Sequence, residues 1–288
     1  MQLSAIEAFV AVCEHGSVRA AAAAMHLTQP AISKRIATLE AQFGHELFDR
    51  VGRGIAPTEA GRAFLPHARR LLAELEDGRR ALDSLSAHVS GRLGLALSHH
   101  VALHRMPPML RRFVNRYPDV ALDIAFLGSE AACESVARGH IELAVITLPR
   151  MPPEPLVQRE IWPDPMRICV ACDHPLAREA EPTAARLGDY PALLPEAGTA
   201  THALVAEALA ARGVPLQTQV ASNYLETLKM LTAVGLGWSA LPATMIDDEL
   251  IALEFPGLRI QRSLGAVHHP GRRLSNAARA LLDALDGA

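Results

Sequence analysis

Two tight breaks in the segment before Gly44 limit the start of this chain to three short helices. Gly16 ends the first helix, and Ser17 is a suitable cap for a second, alanine-rich helix. His26–Leu27 form the second break. The first helix is predicted from apolar residues at three- and four-residue spacing, which are Leu3, Ile6, Phe9, Val10 and Cys13.

The third helix is predicted to begin at Thr28 and to end near Gly44. Thr28 is a good N-cap, and Pro30 falls in the first turn, where its missing N–H costs nothing. Two short helices joined by a tight turn are typical of a helix-turn-helix. In that motif, residues at the start of the second helix reach base edges in the major groove of DNA.

The segment 46–61 is predicted to form a two-stranded wing. Leu47 and Phe48 are expected to be buried, and the residues that follow make a basic, glycine-rich turn. A long helix then starts at Thr58 and runs to about residue 88. It carries a leucine stripe that favours pairing with a second copy, although a core helix of a larger domain would show the same pattern. The stripe consists of Leu65, Leu71, Leu72, Leu75, Leu82 and Leu85.

From Gly91 onward, strands alternate with helices, which is typical of an α/β domain. Strands are predicted over 93–98, 120–127, 143–147, 166–172, 192–194, 217–221 and 237–241. Helices are predicted over 106–117, 129–138, 202–212, 224–234 and 275–285. Two similar subdomains with a cleft between them would suit this order, but no sequence repeat establishes them.

Composition narrows the class of protein. The net charge of −3 excludes a wholly basic nucleic-acid coat protein, yet a local DNA-binding face remains possible because residues 1–70 are slightly basic. Four scattered cysteines do not make a disulfide-stapled secreted domain. The longest apolar run, 231–243, is shorter than the roughly 20 residues of a membrane-spanning helix. These features, with no apparent signal peptide, lead us to expect a cytoplasmic location.

Residues 27–40 (LTQPAISKRIATLE) and 47–61 (LFDRVGRGIAPTEAG) resemble the DNA-binding region of LysR-type transcriptional regulators. Weaker similarity extends to Ser98 and to the segments 117–120, 173–177 and 235–242. The resemblance implies an all-α winged helix-turn-helix and linker helix followed by a two-lobed α/β effector domain like periplasmic binding proteins. It also implies a homodimer or homotetramer that binds an interrupted inverted repeat of double-stranded DNA.

The resemblance further implies domain boundaries. The winged helix-turn-helix would span 1–60, the linker and dimerisation helix 58–88, and the effector-binding domain 91–288. Within the last, lobe 1 would comprise about 91–161 and 267–288, and lobe 2 about 162–266.

The third helix divides into two faces when it is projected at about 100° per residue. Ile32, Ile36 and Leu39 fall on the inner face, whereas the outer face offers groups suited to DNA. Glutamine pairs with adenine, serine donates or accepts, and lysine suits phosphate. Wing arginines can enter a narrow minor groove, although Arg50 could equally form a structural ion pair. The predicted DNA-binding residues are Thr28, Gln29, Pro30, Ser33, Lys34, Arg50 and Arg53.

Ligands of α/β domains bind at the carboxyl ends of strands, often against helix N-termini. Polar residues follow several predicted strands here, and helix capping alone is the competing interpretation for each of them. A neighbouring pair of histidines suggests that the effector is a small anion. The predicted effector-binding residues are Ser98, His99, His100, Ser129, Thr147, Thr199, Thr201 and Asn223.

Other chemistries find less support in the sequence. His100 and His104 have a spacing that can bind metal, but no third ligand is evident, so no metal and no cofactor are expected. No motif of a hydrolase, nucleotide-binding enzyme or dinucleotide-binding enzyme is present, which argues against an enzyme with an accessory DNA-binding domain. A redox-sensing regulator of the same family remains an alternative. Cys133, Cys169 and Cys172 are nevertheless expected to be buried and structural, with the last two inside one strand.

Overall fold

The structure is a computed structural model that describes residues 2–51, 54–83 and 88–286. The chain forms two compact units, Met1–Leu82 and Asp83–Ala288. The N-terminal elements are α1 (Leu3–His15), α2 (Val18–Ala24), α3 (Gln29–Phe43), β1 (Phe48–Val51), β2 (Gly54–Pro57) and α4 (Glu59–Asp83). No helix of the described segments is long and apolar enough to cross a membrane.

Local capping sets the ends of the first three helices. The Ser17 hydroxyl accepts a hydrogen bond from the backbone N–H of Ala20 at 3.1 Å. Gly16 and Gly44 end α1 and α3 with φ values of 66° and 69°, a region in which a side chain would be strained. His26 also has a positive φ, of 53°, in the turn between α2 and α3. These caps are the ones expected from the sequence.

The N-terminal core is aromatic, and the wing packs on it. The Phe9 ring lies 5.3 Å from both Phe48 and Phe64, measured between ring centroids. β1 and β2 pair antiparallel with Val51 opposite Gly54. α4 approaches the start of the wing so closely that a Cβ added to Gly61 would meet the Leu47 carbonyl oxygen at 2.1 Å. Gly61 therefore permits this contact.

The leucine stripe of α4 is divided. Leu65 and Leu72 pack against the N-terminal core, whereas Leu71, Leu75 and Leu82 are exposed. The exposed three lie at spacings of four and seven residues and so share one helix face. The remaining leucine of the predicted stripe, at position 85, falls outside the described residues.

The C-terminal unit has helices on both sides of a mixed sheet. Its strands are β3 (Gly91–Leu97), β4 (Val120–Phe126), β5 (Leu143–Thr147), β6 (Val157–Ala171), β7 (Ala192–Leu194), β8 (Thr218–Ala221), β9 (Trp238–Pro242), β10 (Leu250–Leu253) and β11 (Ile260–His268). Its α-helices are α5 (His99–His104), α6 (Met106–Arg116), α7 (Ser129–Arg138), α8 (Ala200–Ala210), α9 (Leu225–Ala233) and α10 (Asn276–Asp286). Short 3-10 helices cover Pro175–Arg178, Ala184–Asp189 and Ala243–Met245.

Two long strands join the two halves of this unit. The strand order is β4-β3-β5-β11-β6-β9-β7-β8, with β10 paired to β6, and β6 and β11 run antiparallel in the middle. One core, containing Phe113 and Leu281, receives Trp162 of β6 and Leu264 of β11. The other core receives residues further along β6 and the start of β11. The sheet therefore passes from one lobe to the other through these two strands.

Several of these elements are absent from the prediction made from sequence, or are longer than predicted. The strand predicted over 166–172 is the end of the 15-residue strand β6, whose first part contains Pro163 and Pro165. Proline removes a ladder donor and so makes a strand hard to recognise from sequence. Strand β11 and helix α5 were also missed. Cys172 is exposed and lies just beyond β6, so the expectation that it is buried inside the strand was wrong.

Candidate nucleic-acid interface and ligand cleft

The α3 helix presents a polar face to solvent. Ile32, Ile36 and Leu39 are buried against the rest of the N-terminal unit, as the helical projection required. The other face is exposed and carries Gln29, Pro30, Ser33 and Lys34. The Thr28 hydroxyl accepts a hydrogen bond from the Ala31 N–H at 3.4 Å and therefore acts as a cap.

A carboxylate ties α3 to the wing. Glu40 Oε1 accepts the backbone N–H groups of Leu47 at 2.8 Å and Phe48 at 3.3 Å. The position of the wing strands relative to α3 is therefore fixed at the base of the hairpin. Arg50 lies in β1 opposite Ile55. The predicted contact residue Arg53, at the turn, lies outside the described residues.

A small cavity of about 70 Å³ collects most of the predicted effector residues. The predicted residues that line it are His100, Ser129, Thr147, Thr199, Thr201 and Asn223. The residues that the sequence analysis missed are Gly128, Glu130, Pro195, Ala200, Leu225 and Arg262. The cavity lies where the ends of β5 and β7 meet the starts of α7 and α8.

Two predicted effector residues do not line this cavity. Ser98 is buried at the N-terminus of α5, and its Oγ has no hydrogen-bond partner among the described residues. His99 packs edge-on against Tyr224, with ring centroids 5.0 Å apart. Neither side chain is therefore part of the cavity lining.

The polar residues of the cavity differ in how they are held. Ser129 is the first residue of α7, whose cap is Gly128, so the competing interpretation of helix capping does not apply to Ser129. Thr199 does cap α8, since its hydroxyl accepts the His202 N–H at 3.2 Å. Asn223 makes two hydrogen bonds to Glu196, both 3.1 Å long: its Oδ1 accepts the backbone N–H, and its Nδ2 donates to the carboxylate Oε2.

Arg262 supplies a buried positive charge to the cavity. Only 4% of its surface is exposed. Its Nε donates to Asp164 Oδ2 at 2.6 Å, and its Nη1 donates to Thr201 Oγ1 at 3.0 Å. Its Nη2 is buried without a hydrogen-bond partner in the described part of the chain. Burial lowers the pKa of Arg262 and the Asp164 carboxylate opposes this change, but a guanidinium stays protonated in proteins.

A sequence signal for Arg262 did exist. In β11 it shares the buried phase of the strand with Ile260 and Leu264. An arginine in the apolar phase of an alternating strand implies a buried partner or ligand. Because no strand was predicted over residues 260–268, the alternation of buried and exposed positions could not be recognised in the sequence.

Glu130 places a carboxylate at the start of α8. Its Oε1 accepts the backbone N–H of Ala200 at 3.3 Å. A carboxylate at a helix N-terminus is favourable because free N–H groups and the helix dipole meet it there. Glu130, on α7, thus occupies the position that an anionic ligand would take.

Histidines and a carboxylate gather beside this cavity. His104 Nε2 lies 2.9 Å from Glu226 Oε1 of α9, and the His100 ring is 4.8 Å from the His104 ring between centroids. Burial, followed by the charge of Arg262, lowers the pKa of His100 to about 3, so its ring is neutral at pH 7. Glu226 is 122 positions from His104 in the chain, so no local pattern marks it as a third group beside the histidine pair.

The thiols of the C-terminal unit are of two kinds. Burial raises the pKa of Cys133 to about 11 and that of Cys169 to about 12. Both thiols therefore stay protonated and unreactive near neutral pH. Cys172 is exposed, and its Sγ donates to the Asp248 carbonyl at 3.3 Å.

Family models match nearly the whole chain. The model described as "Bacterial regulatory helix-turn-helix protein, lysR family" matches residues 3–62, and the model "LysR substrate binding domain" matches residues 86–288. These matches confirm the resemblance seen in the sequence and the expected fold class.

Full-length relatives agree with the family models. The chain is 31% identical over 291 residues to the "HTH-type transcriptional regulator CbbR" of Rhodospirillum rubrum, covering 99% of this chain and 96% of the relative. It is 36% identical to the "SDS degradation transcriptional activation protein" of Pseudomonas sp. (strain ATCC 19151), covering 95% and 92%. A full-length OxyR variant from Pseudomonas aeruginosa has a similar fold, with a TM-score of 0.72, 21% identity and coverage of 99% and 94%.

Proposed function

The chain belongs to the LysR family of transcriptional regulators, and we propose that it reads DNA with α3 and responds to a small anion bound beside Arg262. The relatives reported above are named as regulators of transcription, and we assign this chain a regulatory rather than a catalytic role. Because its target is DNA, we assign it to the cytoplasm.

The domain division that we propose follows this role. DNA binding belongs to 1–60, pairing with a second copy to the linker helix 58–88, and effector binding to 91–288. We divide the last into a lobe of 91–161 with 267–288 and a lobe of 162–266. Two distinct apolar cores support this division, and β6 and β11 contribute to both.

In the DNA interface that we propose, the exposed residues of α3 have different roles. Gln29, Pro30 and Ser33 stand at the N-terminal end, which reaches base edges in a helix-turn-helix. Lys34 is assigned to phosphate. The N–H groups at the start of α3, near Thr28, would contact a DNA phosphate. The wing would add contacts to the DNA backbone or the minor groove through Arg50 and Arg53.

Two substitutions separate these roles. We expect Gln29→Ala to relax the base preference, because glutamine reads adenine through two hydrogen bonds. We expect Lys34→Ala to weaken all sequences alike and to lower the slope of log affinity against log salt by about 1. Binding measured across a set of half-site variants and salt concentrations checks both. An unchanged base preference in Gln29→Ala would remove Gln29 from the base-reading residues.

The effector proposal depends on one observation. Arg262 Nη2 is buried in a cavity at the start of α8 and has no hydrogen-bond partner among the residues that the structure describes. A carboxylate or inorganic anion would pair with this buried donor, since charge-assisted hydrogen bonds are the stronger ones. Ser129, Thr147 and Thr201 would provide hydroxyl contacts. Thr199, Asn223 and His100 complete the wall, and Ser98 and His99 directly precede His100 in the chain.

The cavity of about 70 Å³ is far below the roughly 300 Å³ at which ligand pockets usually begin. A neighbouring cavity of about 760 Å³ shares Glu130, Thr199, Ala200 and Arg262 with it. Glu130 at the α8 N-terminus stands at the border of the two. We therefore propose that the bound anion displaces the Glu130 carboxylate from Ala200.

Neutralising Glu130 tests this proposal. A thermal-shift screen of small carboxylates and inorganic anions against the full chain would supply the ligand. Glu130→Gln should then bind it roughly three- to tenfold more tightly, because a partly solvated repulsion is removed. Glu134→Gln, one turn along α7 and outside this cavity, is the matched control. A ligand bound more weakly by Glu130→Gln, or binding only of cations, would contradict an anionic effector.

We also propose that α4 pairs with a second copy through Leu71, Leu75 and Leu82. Exposed leucines on one helix face are costly in a monomer, and a narrow apolar seam flanked by charges suits helix pairing. A homodimer, or a homotetramer built from two dimers, would present two recognition helices to an interrupted inverted repeat.

A further inference from the structure

We propose that His100, His104 and Glu226 form a binding site for a divalent transition-metal ion. One ligand atom from each of these residues lies within 4.8 Å of the others. His100 and His104 are one turn apart on α5, and Glu226 is in the first turn of α9. The three groups thus come from two helices that belong to different lobes.

The donor set identifies the class of ion. Two imidazoles and one carboxylate form a common three-ligand set for zinc, with a fourth position left to water or another ligand. Imidazole suits zinc, copper, nickel and iron, whereas magnesium and calcium prefer oxygen donors alone. The site is therefore assigned to zinc or a neighbouring transition metal and not to magnesium.

Unpaired buried atoms point to a missing partner at this place. His100 is 5% exposed, and neither of its ring nitrogens has a hydrogen-bond partner among the residues described. Glu226 Oε2 is also buried and unpaired there. Each such group normally costs free energy in a folded protein. The His104–Glu226 contact uses the other Glu226 oxygen and leaves these atoms unexplained, whereas a metal ion would engage one His100 nitrogen and the Glu226 carboxylate.

The surroundings suit a metal in two further respects. About one third of the His104 and Glu226 side chains is exposed, which gives an ion and its water ligands a way in. His100 Nε2 lies 3.8 Å from the buried carboxylate of Asp164. Metal-bound histidines usually hold a carboxylate at their second nitrogen, which orients the ring. A tetrahedral ion would draw the three donor atoms closer, because its bonds are about 2.0–2.2 Å long.

Metal binding to the full chain tests this site directly. After dialysis against a chelator, Zn²⁺ is titrated by calorimetry into the wild type, His104→Gln, Glu226→Gln and His45→Ala. His45 is exposed in the N-terminal unit and controls for adventitious binding by histidine. Loss of an outer-shell partner alone weakens metal affinity by roughly 10–100-fold, so loss of a direct ligand should weaken it by at least about 100-fold. His45→Ala should match the wild type.

A spectroscopic measurement on wild-type protein tests the site independently of whether the variants fold. Co²⁺ bound to wild-type protein should show intense visible bands of a four- or five-coordinate ion, and Zn²⁺ should displace it. Equal Zn²⁺ affinity in all four proteins, or only weak six-coordinate Co²⁺ bands, would overturn the proposal. These readouts do not involve DNA or an anionic effector, so their failure leaves the function proposed above standing.

Discussion

Replacing Arg262 by methionine removes the main positive partner of a carboxylate that has no contact with solvent. Asp164 is completely buried, and Arg262 Nε lies 2.6 Å from its Oδ2. Removing one member of such a pair costs about 3–5 kcal/mol, because the remaining charge is uncompensated. Arg105 Nη2 lies 3.5 Å from the other oxygen and compensates in part. We therefore expect Arg262→Met to lower the free energy of unfolding by about 3 kcal/mol, near the lower end of that range.

Tryptophan fluorescence isolates the relevant part of the chain. The protein has two tryptophans, Trp162 and Trp238, and both are in the C-terminal unit. Urea unfolding of the full chain, followed by their emission, therefore reports that unit. With a denaturant slope of about 2–3 kcal/mol/M, the midpoint should fall by roughly 1 M. Arg138→Met, which breaks an exposed pair with Glu134, should cost less than about 0.5 kcal/mol.

A double variant tests the reasoning more strictly. If the cost arises from an unpaired buried charge, replacing both members by apolar residues should restore much of the stability. Asp164→Leu combined with Arg262→Met should thus be more stable than either single variant. A double variant as unstable as the sum of the singles would refute an electrostatic origin and indicate lost packing instead. A loss below about 1 kcal/mol in Arg262→Met would mean that Arg105 suffices.

Two further substitution and labelling experiments follow from the structure. Gly61→Ala should destabilise the N-terminal unit by roughly 1–3 kcal/mol, because the new Cβ would meet the Leu47 carbonyl. Gly78→Ala on the same helix is the control: its Cβ meets nothing within 4 Å, so the substitution should be neutral or stabilising. Thermal unfolding followed by circular dichroism checks both variants, and equal effects on stability would contradict the close contact at Gly61. Iodoacetamide at neutral pH should modify Cys172 well before Cys133 and Cys169, whose high pKa values keep their thiols protonated. Mass spectrometry gives the order, and a peroxide response that survives Cys172→Ser would weaken the redox-sensing alternative.

The N-terminal unit was predictable because its signals are local. A cap such as Thr28 acts on a backbone group three residues away, and the inner face of α3 follows from helical spacing alone. The bond from Glu40 to the wing is different. It joins residues seven and eight positions apart across a loop, and no periodicity marks it.

The cleft was predictable only in part, for a physical reason. Residues such as Thr199 follow strands and cap helices, so strand order brings them to one edge of the sheet. The charges that control the cleft come from distant segments. Arg262 and Asp164 are 98 positions apart, and His104 and Glu226 are 122 apart. Nothing local connects them, and the prolines within β6 conceal the strand that carries Asp164.

The position of the buried ion pair suggests how ligand binding reaches the rest of the domain. Asp164 and Arg262 stand directly opposite each other on β6 and β11, the two strands that contribute to both cores. Arg262 also holds Thr201 of α8, while Asp164 faces His100 and Arg105 around α5. An anion at Nη2 would therefore act on the junction of the lobes and not on one lobe alone. Because a ligand shifts an equilibrium only through its different affinity for two states, a contact at this junction favours whichever lobe arrangement keeps Arg262 close to Ser129 and Thr147 of the other lobe.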